Sequence, residues 1–199
     1  MFENQEKIRL VFASNNRHKF NEIAVMLDNR YSLLSLEDIG CYTEIPETQN
    51  TIEGNALQKA EFILENFNTP CFADDTGLEI EALHGEPGVF SARYAGEKCD
   101  FEDNMNLVLK KLGQETNRKA RFRTVIALSE KSGSITFEGI VEGTIMVSKK
   151  GTGGFGYDPI FKPDGFDKTF AEMTIEEKNA ISHRAIALKA FTDYLKRRL

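Results

Sequence analysis

Two carboxylates in succession, Asp74 and Asp75, stand at the end of the apolar run Cys71-Phe72-Ala73, with Thr76-Gly77 directly after them. Adjacent aspartates repel one another and cost stability unless a cation or hydrogen-bond donors lie close. A divalent ion meets that need. Mg²⁺ prefers carboxylate oxygens, keeps several waters and is usually completed by phosphates of a substrate. One carboxylate would hold the metal while the other orients or deprotonates water for attack on phosphorus. Glu47 offers a further carboxylate. A polar turn capped by Thr76 is the plainer alternative. In either case Thr76-Gly77 permits a turn that would bring both aspartates toward one cleft, since in an extended chain neighbours point to opposite faces.

Ser14, Asn15 and Asn16 sit where an apolar run hands over to a helical pattern. Backbone N–H groups and the positive end of the helix dipole can face an anion there. Lys19 lies about one turn further on, and Lys59 shares a helix face with Asn55 at i, i+4. Taken singly, the first group is an N-cap followed by a solvated lysine and the second is surface polarity.

A third group runs from Gly151 to Arg184. Glycines surround Phe155, Tyr157 and Asp158 in GTGGFGYDP, and Lys178, Ser182, His183 and Arg184 follow in EEKNAISHR. Glycine lets backbone approach a ligand where a Cβ would clash, Phe155 offers a π-face for stacking, and Arg184 with His183 can reach a purine edge. An arginine donating to O6 and N7 favours a 6-oxo purine, a contact worth about 1–3 kcal/mol of discrimination. That disfavours an adenine ring but not guanine. Phe155 and Tyr157 are equally at home in a core, His183 at a helix end, and Arg93 in a surface ion pair or a closing loop. His18 and His84 are read as structural or peripheral.

These residues need elements to hold them. Residues 8–13 read as a strand ending at Ser14, 17–28 as a helix and 31–36 as a second extended run. A helix entered at Thr51 spans 52–67, and a short strand covers 71–73. Residues 84–100, with several glycines and one proline, read as a long ordered loop or flap. A helix carrying Met105, Val108, Leu109 and Leu112 ends at Gly113. Two β-rich arms, 120–129 and 134–147, meet at Lys131-Ser132-Gly133. Thr174 and Glu177 form a capping-box pattern, and a helix continuing or restarting at Ser182 carries Ala187, Ala190, Phe191, Tyr194 and Leu195 as its buried stripe. The order is mixed α/β.

A chain of 199 residues fits one domain with two lobes. Its 41% hydrophobic and 28% charged content suits a globular protein. No apolar run approaches membrane-span length, and residues 1–7 lack the pattern of a signal peptide, which makes the cytoplasm the expected compartment. Cys41, Cys71 and Cys99 form no CxxC pair, which argues against a disulfide framework and a zinc site. A net charge of -6 disfavours nonspecific nucleic-acid binding.

Taken together, SNNRHK at 14–19, ETQNTIEGNALQKA at 47–60, ADDTGLEIEALHGEPGVFSARYAG at 73–96, GTGGFGYDPIF at 151–161 and EEKNAISHR at 176–184 resemble the inosine triphosphate pyrophosphatase family. These are pyrophosphatases of noncanonical purine nucleoside triphosphates (dITP/XTP pyrophosphatases). The likeness covers nearly the whole chain, in the family's motif order. It implies an elongated α/β fold of two lobes around a central mixed sheet flanked by helices, with a central cleft in a single domain spanning 1–199, and a homodimer. The implied reaction cuts ITP, dITP or XTP between the α- and β-phosphates to a monophosphate and pyrophosphate. The implied roles are Asp75 as base, Glu47 and Asp74 as ligands of Mg²⁺, and Ser14, Asn15, Asn16, Lys19 and Lys59 on the triphosphate. Thr76, Phe155, Gly156, Tyr157, Asp158, Lys178, Ser182, His183 and Arg184 would frame the base. Thr76 stands where many members have serine, and Gln49-Asn50 replace a glycine-containing pair. A pyrophosphatase of modified pyrimidines would share the phosphate machinery without the Arg184 logic, and a nucleotide-binding regulatory module would use the ring grip alone.

Overall fold

The computed structural model describes residues 7–27 and 29–198. Residues 1–6, and Asp28 at the end of the expected first helix, lie outside the described residues. The elements are β1 (Ile8–Phe12), α1 (Arg17–Met26), β2 (Tyr31–Leu34), α2 (Ile52–Phe67), β3 (Cys71–Ile80), α3 (Phe101–Leu112), β4 (Lys119–Glu130), β5 (Gly133–Ile145), β6 (Phe161–Pro163), α4 (Ile175–Ile181) and α5 (His183–Lys196). The six strands form one sheet in the order β2-β1-β3-β4-β5-β6. β1 pairs in parallel with β2 and β3, and β6 is antiparallel to β5, so the sheet is mixed as expected.

The chain divides into two compact units, one of Met1–Asp75, Val125–Phe137 and Ala187–Leu199, the other of Thr76–Thr124 and Glu138–Ile186. In the first, the strand pleat sorts side chains onto two faces. Leu10 and Phe12 of β1 and Phe72 of β3 join a core with Ile23 of α1 and Ala187, Leu188 and Phe191 of α5. Val11, Cys71 and Ala73 point the other way, into a core with Ala56, Ala60 and Ile63 of α2. Both faces are covered, which suits parallel strands that read as continuous apolar runs. Cys71 and Cys41 are buried in the second of these cores and Cys99 is exposed. Burial pushes the Cys71 thiol up to about 12.

The second unit has one core, built from Leu78 and Ile80 of β3, Ala120 and Phe122 of β4, Met105, Val108 and Leu112 of α3, and Phe161 and Phe170. The rings of Phe122, Phe161 and Phe170 lie within 6.0 Å of one another, centroid to centroid. α3 is capped by Asp100, whose carboxylate accepts from the Asp103 amide, and carries Glu102 and Asp103 in its first turn and Lys110 and Lys111 in its last, signs that match the helix dipole.

Three expectations need correction. The strand expected at 71–73 continues to Ile80, so Asp74, Asp75, Thr76 and Gly77 lie inside β3 and no turn follows the aspartates. Turn-forming composition is overridden by sheet pairing and burial. On α5, Ala190 is exposed and the buried positions are His183, Arg184, Ala187, Leu188, Phe191 and Thr192. The extended run at 31–36 is a strand only to Leu34. The segment 84–100 is ordered as expected and includes the 3-10 turn Gly88–Arg93.

Candidate functional site

Because β3 is extended through the aspartates, its pleat sends them to different helices. Asp74, fully buried, accepts from Lys19 Nζ of α1 at 3.0 Å. Asp75 faces α2, where Lys59 Nζ stands 3.5 Å from its Oδ1 and Asn55 Nδ2 stands 3.4 Å from its Oδ2. Lys59 also donates to Glu47 Oε1 at 2.5 Å. Lys59 and Asn55 are themselves buried, so each carboxylate meets its donor away from bulk water. Burial raises the Asp75 pKa; Lys59 and Lys19 pull it down, but burial with the charges of Glu47 and Asp74 prevails. Burial works against the charge of Lys59, yet Asp75, Glu47 and Asp74 outweigh it and hold that pKa above the ordinary lysine value. The result is a charged lysine serving two carboxylates, one of which holds its proton more tightly than a solvated aspartate would.

The loop carrying Glu47 is fastened to α2. Thr48 N donates to Gln58 Oε1 and Gln58 Nε2 donates back to Thr48 Oγ1, both at 2.9 Å. Gln49 N donates to Asn55 Oδ1 at 2.9 Å, so Asn55 bridges the loop and Asp75. Gly54 is needed beneath this loop: a Cβ there would stand 2.8 Å from Cβ of Gln49. Thr51 caps α2 by accepting from Gly54 N. Asn55 was noted in the sequence for its i, i+4 spacing to Lys59 but given no role at the site.

Ser14 follows β1 and Asn16 caps α1. Ser14 Oγ accepts from Asn16 N at 3.2 Å and Asn16 Oδ1 from Lys19 N at 3.1 Å, while Asn15 is exposed. Both side chains therefore shape the turn, and what the segment can offer an anion is the N-terminal amide end of α1. A hollow of about 430 Å³ beside it is lined by Ser14, Asn15, Asn16, Arg17, Ser35 and Asp38 among others.

In the other unit, Asp158 Oδ2 accepts from Phe155 N at 2.9 Å and from Lys178 Nζ at 2.8 Å. The loop closes on this oxygen only because Gly154, at φ +70°, has no side chain, since a Cβ would lie 2.0 Å from it. Lys178 Nζ stands 4.9 Å from the Phe155 ring centroid and Arg184 Cζ 5.6 Å from it, both in cation–π range. Arg184 is only 1% exposed, and its Nη2 lies 3.5 Å from Thr76 Oγ1, which in turn bonds Thr124 Oγ1 at 2.7 Å. Ser182, buried between α4 and α5, accepts from Ala185 N, and His183 stacks on Phe122 at 4.5 Å and 14°. Tyr157 is buried in the core and its hydroxyl donates to Ser91 O at 2.7 Å. Gly156 adopts φ +63° with open space where a Cβ would be. The structure thus gathers Thr76, Phe155, Asp158, Lys178 and Arg184 into one connected cluster, with Tyr157, Ser182 and His183 built into its walls.

Lysines set on carboxylates in one unit, and an aromatic ring flanked by cations in the other, lie along a sequence that matches a known family. The Ham1 family model matches residues 10–194. The chain belongs to the Ham1 family. It is 54% identical over 188 residues to a dITP/XTP pyrophosphatase of Flavobacterium johnsoniae, covering 94% of this chain and 98% of that protein. A dITP/XTP pyrophosphatase of Flavobacterium psychrophilum is 53% identical over 189 residues, covering 95% and 100%. The solved Ham1 protein of Staphylococcus aureus superposes with a TM-score of 0.89 at 40% identity, covering 96% of this chain and all of that one. The mixed sheet with flanking helices is therefore the Ham1 fold.

Proposed function

We infer that this Ham1-family chain is a nucleoside triphosphate pyrophosphatase that hydrolyses dITP, XTP and ITP to the monophosphate and pyrophosphate, removing deaminated purines from the nucleotide pool. The observation that carries the reading is a single peptide step on β3: Asp75 meets Lys59 and Asn55, and the next residue, Thr76, meets Arg184. One strand thus passes directly from the chemistry of phosphate to the recognition of a ring. The names of the relatives agree with the reading.

In the reaction, Lys19 and Lys59 carry phosphate charge, and the amide end of α1 at Ser14–Asn16 receives the anion. Asp75 takes a proton from water as its oxygen bonds to the α-phosphorus, and the bridging oxygen leaves with pyrophosphate. A carboxylate whose pKa is raised by burial is better suited to that transfer than a solvated one. The donor set suits a hard cation: every acidic ligand in the cluster offers carboxylate oxygen. Mg²⁺ is usually held by one or two carboxylates together with substrate phosphates. Glu47 and Asp74 would hold it, and when bound it neutralises charge developing on phosphate. At the other end the purine stacks on Phe155 while Arg184 donates to O6 and N7, and Lys178 and His183 frame the ring.

Initial rates on ITP, XTP, dITP, GTP and ATP, with and without Mg²⁺, test the reading. The first three should dominate, and ITP should yield IMP with pyrophosphate. IDP with orthophosphate would overturn the cleavage site. The family resemblance also supports a homodimer, which sedimentation would check. No helix among the described residues is long and apolar enough to cross a membrane.

A further inference from the structure

Phe101 opens α3 with 37% of its surface exposed. Its centroid lies 6.0 Å from that of Phe155, with the planes at 45°, inside the range of favourable aromatic pairs. The pairing is fixed by its surroundings. Lys149 Nζ donates to Glu102 Oε1 and, at 2.7 Å, to Asn106 Oδ1, fastening the first turns of α3 to the segment that runs into the glycine loop. The backbone of Phe155 is held in turn by Asp158. Two rings are therefore set side by side from separate anchors, one on a helix and one on a loop.

We propose that Phe101 is a specificity-determining residue that supplies a second aromatic wall for the nucleotide ring beside Phe155. The assignment rests on the purine triphosphatase reading. Its contribution differs in kind from that of Arg184. Stacking accepts any flat ring because every base has a π-face, whereas an arginine fork distinguishes acceptors from donors. Phe101 thus favours a base over a bare polyphosphate, and Arg184 chooses among bases.

Steady-state kinetics on ITP and XTP with the full-length wild type and with Phe101→Ala, Phe101→Leu and Phe101→Trp separate the possibilities, together with inhibition by inorganic tripolyphosphate. The Ala and Leu variants should raise KM for both nucleotides about 2- to 10-fold with kcat little changed, the range expected for one aromatic contact. Trp should restore KM, and tripolyphosphate should inhibit all four proteins alike. An unchanged KM in Phe101→Ala, a Leu variant matching wild type, or tripolyphosphate inhibition that weakens in parallel with KM would each overturn the assignment. Wild-type failure to hydrolyse ITP, dITP and XTP would instead sink the pyrophosphatase reading, and Phe101's role with it.

Discussion

The acidic cluster on α1, α2 and β3 and the aromatic cluster around Phe155 solve the problem of buried charge in opposite ways. In the first, cations meet carboxylates directly: Lys19 on Asp74, and Lys59 on both Asp75 and Glu47. Proton affinities move as a result: burial raises Asp75 against the pull of Lys59 and Lys19, whereas burial works against the charge of Lys59 and the carboxylates of Asp75, Glu47 and Asp74 outweigh it. In the second, Lys178 meets the carboxylate of Asp158, and it and Arg184 lean on a ring, while shape is set by a glycine that leaves space for an oxygen. One region is tuned for protonation and the other for fit, so substitutions in the first should change rates and those in the second should change preferences.

The sharpest way to break that contrast is Asp75→Asn. We expect kcat to fall about 10²- to 10⁴-fold with nucleotide binding largely kept, as for loss of a general base. Near-normal turnover would remove Asp75 from that role. The same variant has a stability signature. A carboxylate whose pKa is raised in the folded state adds stability only while protonated, below the ordinary aspartate value of 3.8, and that contribution is lost as pH rises through the raised value. Asp75→Asn should therefore melt higher than wild type at neutral pH in the absence of nucleotide, with the gap closing toward pH 4 in thermal scans.

Next in size is Arg184→Ala, which should reduce the preference for ITP over ATP about 5- to 150-fold, the value of a bidentate purine contact. An unchanged ratio of kcat/KM would show that this buried arginine supports the fold without reading the base. Gly154→Ala tests shape. A non-glycine residue at positive φ costs about 1–3 kcal/mol, and the added carbon collides with Asp158, so the loop must give way. The melting temperature should drop and KM should rise while kcat holds. The mildest change is Thr76→Ser, which should leave kcat/KM within about twofold because it keeps the hydroxyl that faces Arg184 and Thr124 and removes only a methyl group.

Much of this was readable from the chain. The entry of α2 at Thr51 and the capping box at Thr174 follow from side chains that bond to nearby backbone, and the end of α3 follows from Gly113, whose own amide donates to Leu109 O; the structure reproduces all three. Local chemistry of this kind needs no tertiary knowledge. The identities of the charged residues were legible for a similar reason, since two adjacent carboxylates demand partners. Which partners they take was not. Lys19 and Asp74 are 55 residues apart, and Lys59 and Asp75 are 16 apart, distances over which sequence carries no bonding signal. The length of β3 was missed because Asp-Asp-Thr-Gly has the composition of a turn, whereas the lysines and Asn55 supplied by two helices help make an extended, buried path tolerable. Tyr157 shows the converse: a residue that sits in a ligand-like motif spends its hydroxyl on the carbonyl of Ser91.

The extended path of β3 has a consequence for how this chain can change. A pair of acids on a loop tolerates an inserted or deleted neighbour, because slack absorbs it. On a pleated strand the side-chain period is two, and a slip by one residue turns every group to the opposite face. Asp74 would then be presented to Lys59 and Asn55, and Asp75 to Lys19. The division of labour between the two aspartates is thus written in strand parity, and length changes in β3 that preserve it must come in even numbers.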